Sequence, residues 1–341
     1  MQNEIRSAGM LLDNQGRLVE AGYAYTLRKT YLRSMIKAGS LRIKEWDYYL
    51  VNDEAYAVAL TIADNGYMGV GSISLIDFSN RKEMTKTRMR LFPMGGLKLP
   101  SSSAQGLSTW TDKQCQICFL VKDGIRTLEA EYIGFYKGEN LTIRLQLDEE
   151  PKDTMVIMTP FPNDPHAFYY NQKINCLRVK GIVSLGNWSH VFDKNAFGCL
   201  DWGRGVWTYD NTWYWSSCSS LIDGHRLGWN LGYGFGDTQK ASENMLFYDG
   251  TGYKLDRVMF HIPQDADHVY QYMKPWRLED NEGRLQLTFV PLLDRKAKIN
   301  AGFLLSDQHQ VFGRFSGYVL LDKKISVLSA LGFAERVHNR W

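Results

Sequence analysis

The chain has 341 residues, 44% of them hydrophobic and 23% charged, with a net charge of +3. That composition excludes a disordered chain, and so weak a charge gives no reason to expect a nucleic-acid partner. Five Cys in this length make a disulfide framework improbable, no run of about 18 apolar residues occurs, and residues 1–6 are polar; the expectation is a cytoplasmic chain with reduced thiols and no integral membrane segment.

In chain order, the first patterned stretch is 22–44, with six basic and no acidic residues. Leu27, Tyr31, Leu32, Met35 and Ile36 share one helical face there, which predicts a short amphipathic helix. Strand-like runs follow at 56–63, 68–78, 116–121, 127–136, 141–147 and 154–159. They are separated by Asn65-Gly66, Asp123-Gly124 and Gly138-Glu139-Asn140, pairs that supply the positive φ of tight hairpins. Cys115-Gln-Ile-Cys118 alternates as a strand and sets its two thiols on opposite faces, so it reads as structural. Neither a metal nor an organic cofactor is expected.

Pro160, Pro162 and Pro165 then cluster, and Pro interrupts strand pairing. Eight of the ten Trp follow this point. Two domains are therefore expected, 1–170 and 171–341, with Pro165 opening a second short helix. Further strand runs lie at 176–185, 253–262, 284–289, 311–321 and 325–333. Many strands joined by short turns read as antiparallel sandwich or barrel architecture.

The most informative segment runs from Trp188 to Asp237. Read as a strand, Asp201-Trp-Gly-Arg-Gly-Val-Trp207 puts Asp201 and Trp207 on one face, Trp202 and Arg204 on the other. A charge among large aromatics is either paired or faces a cavity, and both readings stay open for Asp201 and Arg204. Trp213 and Trp215 follow as further wall residues. In Leu227-Gly-Trp-Asn-Leu-Gly-Tyr-Gly-Phe235 the apolar side chains point one way. The glycines and Asn230 point the other, and that face is open either to another backbone or to a ligand. Glu243 opens the next strand. His309 precedes a strand on which Gln310, Phe312 and Arg314 share a face, so Arg314 is a candidate for an inward polar surface.

These motifs, with Lys44-Glu-Trp-Asp-Tyr-Tyr49, Gln310-Val-Phe-Gly-Arg-Phe-Ser-Gly317 and Gly332-Phe-Ala-Glu335, resemble the bacterial domain-of-unknown-function family 2804. More distantly the chain is similar to the carotenoid 1,2-hydratase, tocopherol cyclase and AttH-like group. That resemblance implies an all-β fold of two lipocalin-like (calycin) antiparallel barrels with few short helices, and an apolar, terpenoid or lipid-like ligand.

Three functions follow as expectations. The first is a Trp-lined pocket for an apolar small molecule, with hydratase, cyclase or isomerase chemistry started by an acid. Asp201, His309 and Glu243 are its candidate catalytic residues. Trp202, Arg204, Trp207, Trp213, Trp215, Asn230 and Arg314 are its candidate ligand contacts. The second is a carbohydrate-active protein using Asp201 and Glu243 as paired carboxylates. The third is a non-enzymatic binding or scaffold protein. The sequence leaves open whether any reaction is catalysed, and the oligomeric state.

Overall fold

A computed structural model describes residues 2–301 and 304–340. The alternation seen in the sequence becomes two curled antiparallel sheets, of 13 and 9 strands, plus a two-stranded parallel pair, Gly9–Met10 with Lys29–Thr30. In the hairpins at Asp123-Gly124, Asp223-Gly224 and Asp249-Gly250, both residues have positive φ. That is the twist a two-residue connection between strands requires.

The first sheet runs Lys82–Leu91, Met68–Asp77, Tyr56–Asp64, Ile43–Asn52, Phe197–Val206, Asp164–Leu185 and Glu139–Asp148. Three more strands, Ile125–Tyr136, Cys115–Lys122 and Gly106–Thr111, complete that path. The second sheet centres on Asp210–Ile222, Lys324–Arg340, Leu304–Leu320 and Leu285–Ala301, with His225–Tyr233 beside the first of these. The long strands bend at register shifts, between Ile174 and Leu177, Pro291 and Leu293, and Phe315 and Gly317. An extra residue in one strand of a pair raises the local twist, which curls the sheet.

The division expected at 170/171 falls inside the 22-residue Asp164–Leu185 strand. The chain passes from the first sheet to the second between Val206 and Asp210. The proline cluster marks a tight hairpin instead: Met155–Phe161 pairs back on Asp164–Leu185, with Asn163 at φ 66°. Pro165 therefore lies near the start of a strand, where a missing N–H is tolerated, and opens no helix. The amphipathic helix expected at 27–36 is likewise replaced by an extended segment and one 3₁₀ turn, Arg33–Met35. Tyr31 is fully buried there, its hydroxyl donating to Glu45 Oε1 at 2.8 Å, so tertiary burial overrides the helical spacing. Among the described residues no helix is long and apolar enough to cross a membrane.

Three apolar clusters result. One fills the first sheet around Trp110, Phe119, Tyr170 and Trp202, and one fills the second around Trp229, Trp276, Phe289 and Phe315. The third lies where the sheets meet: Tyr48, Leu50 and Cys199 from the first pack with Trp215, Phe312 and Phe333 from the second. The cavity described next opens beside this third cluster.

Candidate functional site

Strand parity builds the site. On Phe197–Val206, Leu200, Trp202, Arg204 and Val206 turn into the first sheet's interior, and Asp201 turns toward the second sheet. Glycine occupies the next two positions on the Asp201 face. A β-carbon at Gly203 would stand 2.0 Å from the Trp46 ring, and one at Gly205 would stand 2.5 Å from the Phe168 carbonyl oxygen. Gly203 is therefore what lets the Trp46 ring lie against the strand, and Gly205 what lets Phe168 and Trp207 approach it.

Between the sheets is a cavity of about 250 Å³. Trp46, Tyr169, Trp207, Trp213 and Phe235 form its aromatic wall. Trp207, Trp213 and Phe235 meet edge-to-face in all three pairs, with centroids 4.6–5.9 Å apart and planes at 69–75°. Tyr169 closes on Phe235 at 4.8 Å and stacks with Trp46 at 6.2 Å. Such arrangements are favoured by the ring quadrupoles. Edge-to-face neighbours make a box corner, not a closed stack.

The opposite wall is polar. Lys173 Nζ lies 2.8 Å from Asp201 Oδ1 and 3.9 Å above the Trp215 ring centre. Asn171 Nδ2 donates to the same Asp201 oxygen at 2.6 Å. Glu335 accepts from Trp213 Nε1 and from Gln310 Nε2, both at 3.1 Å. Burial pushes the Glu335 carboxyl up from its ordinary 4.5 to about 7, against the opposing pull of the Trp213 hydrogen bond and of Lys173 and Arg295. Burial also raises Glu243, with Lys173 opposing and the Asp201 charge adding. Arg295 reaches the cavity from the second sheet and donates to Ser74 Oγ of the first at 2.8 Å.

The residues expected from sequence divide into three groups. Asp201, Trp207, Trp213, Trp215 and Glu243 line the cavity together. Asn230 stands one layer behind, accepting from Trp215 Nε1 at 2.7 Å and donating to the Glu243 backbone carbonyl at 2.7 Å. Its glycine face is filled by the protein: β-carbons at Gly228 and Gly232 would meet Cys176 Sγ and Glu243 Oε1, each at 2.6 Å. Phe235 departs from the expected parity, because the strand ends at Tyr233 and Gly234 turns the chain at φ 91°.

Four expected site residues lie elsewhere. Trp202 and Arg204 face the first sheet's core, where Arg204 is fully buried and pairs with Asp47 Oδ1 at 3.0 Å. It also donates to the carbonyls of Pro100 and Trp46, and its guanidinium sits 4.4 Å from the Trp202 ring. Both residues are thus paired, Arg204 with Asp47 in the core and Asp201 with Lys173 on the cavity wall, because residues an odd number of positions apart on a strand face opposite ways. Arg314 is half-exposed outside the cavity lining, bridging Glu54 at 2.8 Å. His309 faces away from Gln310, bonds Asp294 Oδ2 at 2.7 Å and stacks on Tyr272 at 3.8 Å. Cys115 and Cys118 fall on opposite sides of one strand, and burial pushes the Cys115 thiol up to about 12. Among the described residues no three His, Cys, Asp or Glu side chains converge as metal ligands would.

Sequence reading missed Glu335, Lys173, Tyr169, Arg295 and Gln310 as site members. The signal for Lys173 was present: a lysine inside the aromatic-led run Phe168-Tyr-Tyr-Asn-Gln-Lys-Ile174, on the parity of Tyr169 and Asn171. A buried Lys needs a partner, and the strand register supplies it in Asp201.

No curated protein sequence matches the chain. Its fold is shared by an AttH candidate of Nitrosomonas europaea, at a TM-score of 0.56 and 13% identity, covering 92% of this chain and 98% of that one. It is shared by CghA solved with Sch210972, at 0.51 and 12%, covering 97% of each. Kievitone hydratase of Nectria haematococca aligns at 0.49 and 10%, over 87% of this chain and 88% of its own. The two curled sheets are thus a double lipocalin-like arrangement. The family profile of a domain of unknown function, DUF2804, matches residues 2–341, and the chain belongs to that family.

Proposed function

We propose that the cavity between the sheets binds a small, largely apolar molecule and protonates it, Glu335 being the acid. One observation carries the reading: a buried carboxyl held near neutrality, at about 7, is hydrogen-bonded to Trp213, itself part of the aromatic box. The volume of about 250 Å³ stands near the lower end of pockets that take drug-sized ligands, about 300–1,000 Å³. The ligand is accordingly small, on the scale of a ten-carbon isoprenoid.

The chemistry follows from the groups present. A carboxylic acid near its pKa at working pH gives up a proton readily and is regenerated readily. Transferred to a ligand double bond, that proton leaves a cation, which the faces of Trp207, Trp213 and Phe235 stabilise. Hydration, cyclisation and isomerisation share this first step. They differ in the cation's next step: water adds and the resulting oxonium returns a proton to the Glu335 carboxylate; a second double bond attacks, closing a ring and moving the cation, which then loses a proton; or a neighbouring proton is lost directly to a base such as Glu243. Asp201 serves as the partner that fixes Lys173 against Trp215, not as the acid. This arrangement disfavours the glycosidase reading, in which Asp201 and Glu243 must both face a sugar, because Asp201 is already paired with Lys173 and accepts from Asn171.

The test is titration of the full chain with geraniol, followed by tryptophan fluorescence, and mass analysis of the recovered ligand. Saturable quenching lost in Trp213→Ala supports the cavity. Conversion lost in Glu335→Gln with binding retained supports the acid. Equal quenching in wild type and Trp213→Ala would sink the reading.

A further inference from the structure

The cavity lining is sorted along its length. On the second sheet Trp215, Glu335, Gln310 and Arg295 are register partners on four successive strands, so they form one row across the cavity. Adjacent strands lie about 4.8 Å apart, which puts the backbone of Arg295 about 14 Å from that of Trp215, with Glu335 between them. The Trp215 end carries the aromatic corner, because Trp213 of the same strand meets Trp207 and Phe235 there. The Arg295 end is polar. Tyr48 meets Gln310 and Ser74 meets Arg295, so the strand between theirs, Tyr56–Asp64, lies over that end. It brings Thr61, and Asn65 just beyond it, to face Gln308 and Arg295.

These four side chains carry hydrogen-bonding groups that the protein leaves unused. Among the described residues the one hydrogen bond of the Arg295 guanidinium is from Nη1 to Ser74 Oγ at 2.8 Å, and it has no ion-pair partner. The Thr61 hydroxyl and the Asn65 side-chain amide have no protein partner either. All four side chains are half-buried, and none of their polar atoms is sealed away from water. A guanidinium holds five N–H donors and no acceptor, so the group that completes this end is an oxygen that accepts. Charge sets a second condition. With Lys173 paired to Asp201 and Glu335 protonated as the acid, Glu243 and Arg295 balance. An uncharged acceptor keeps that balance; a carboxylate or an ammonium group disturbs it.

We propose that the ligand is an alkenyl ketone or aldehyde whose carbonyl oxygen accepts from Arg295, whose hydrocarbon end fills the corner formed by Trp207, Trp213 and Phe235, and whose double bond therefore faces Glu335. This rests on the reading of the cavity as the ligand site and adds the ligand's polar group and its direction.

The ketone 6-methylhept-5-en-2-one and the hydrocarbon 2,6-dimethylhepta-1,5-diene have the same shape and differ by a carbonyl oxygen against a methylene. Each is titrated into the full chain and followed by tryptophan fluorescence. Arg295→Gln is expected to weaken the ketone at least fivefold and to change the diene less than twofold. The infrared carbonyl stretch of the ketone bound to the wild type is expected at or below its frequency in water, the mark of a strong donor on the oxygen. That measurement needs no variant, so it stands even if Arg295→Gln fails to fold. A bound carbonyl stretch equal to that in hexane, equal weakening of both ligands by Arg295→Gln, or binding of geraniol without the ketone overturns the carbonyl proposal and leaves the cavity reading intact. Binding of none of the three overturns both.

Discussion

Lys173 and Asp201 are register partners on adjacent antiparallel strands, and they meet as an ion pair at 2.8 Å with the lysine ammonium over Trp215 of the other sheet. One buried pair thus joins two strands of the first sheet to the second, at the floor of the cavity. Removing one member leaves the other charged and buried. Asp201→Asn or Lys173→Met alone should therefore cost about 3–5 kcal/mol, whereas the double variant should recover much of that loss. Urea unfolding of the four proteins in a double-mutant cycle reads the coupling directly, and additive losses would contradict it.

Glu335 should make the protein less stable as pH rises toward neutrality. Its pKa is raised from 4.5 to about 7 on folding, so between those values the folded state holds a proton that the unfolded state has released. Stability therefore falls as pH rises from about 4.5 to about 7 and levels off above it. A shift of this size corresponds to about 3 kcal/mol. Calorimetric Tm values from pH 4.5 to 8 should show that fall in the wild type and a flatter profile in Glu335→Gln, with the raised Glu243 accounting for what slope remains.

Gly203 should resist any side chain. A β-carbon there meets the Trp46 ring at 2.0 Å, and the ring is held in turn by Trp207 at 5.2 Å. Gly203→Ala is expected to destabilise by about 1–3 kcal/mol, the usual cost of overpacking, and to shift tryptophan emission as the box opens. Gly134→Ala, at a positive-φ bulge in the Ile125–Tyr136 strand with nothing within 4 Å, lowers Tm through backbone strain alone and leaves the emission unchanged.

The two arginines that looked alike in sequence should behave differently. Arg204→Ala leaves Asp47 unpaired in the core and should cost about 3–5 kcal/mol. Arg314 makes a surface pair with an exposed Glu54, so Arg314→Ala should change stability by less than about 1 kcal/mol and leave geraniol binding unaltered. His309→Ala should also leave binding unaltered, because its contacts with Asp294 and Tyr272 lie outside the cavity. Loss of ligand binding in either would place the site elsewhere.

The sequence by itself determined the class of fold and much of one cavity wall. Alternating side chains and Asp-Gly turns act within a few residues, so they can be read without knowing what lies across the sheet. The same local parity separated Asp201 from Trp202 and Arg204, and gathered Trp213 with Trp215. It could not say which face looks into a cavity and which into a core, because that depends on the layer packed against it. Only the tertiary structure joined Lys173 to Asp201, Trp213 to Glu335 and Arg295 to Ser74, contacts 28, 122 and 221 residues apart in the chain. Those distances are also why Asp201, legible as an acid, became a lysine's counter-charge, while Glu335, in the closing strand, took the buried setting that holds a proton near neutrality. Burial decides a carboxyl's chemistry, and burial is set by the packing of two sheets that no local pattern encodes.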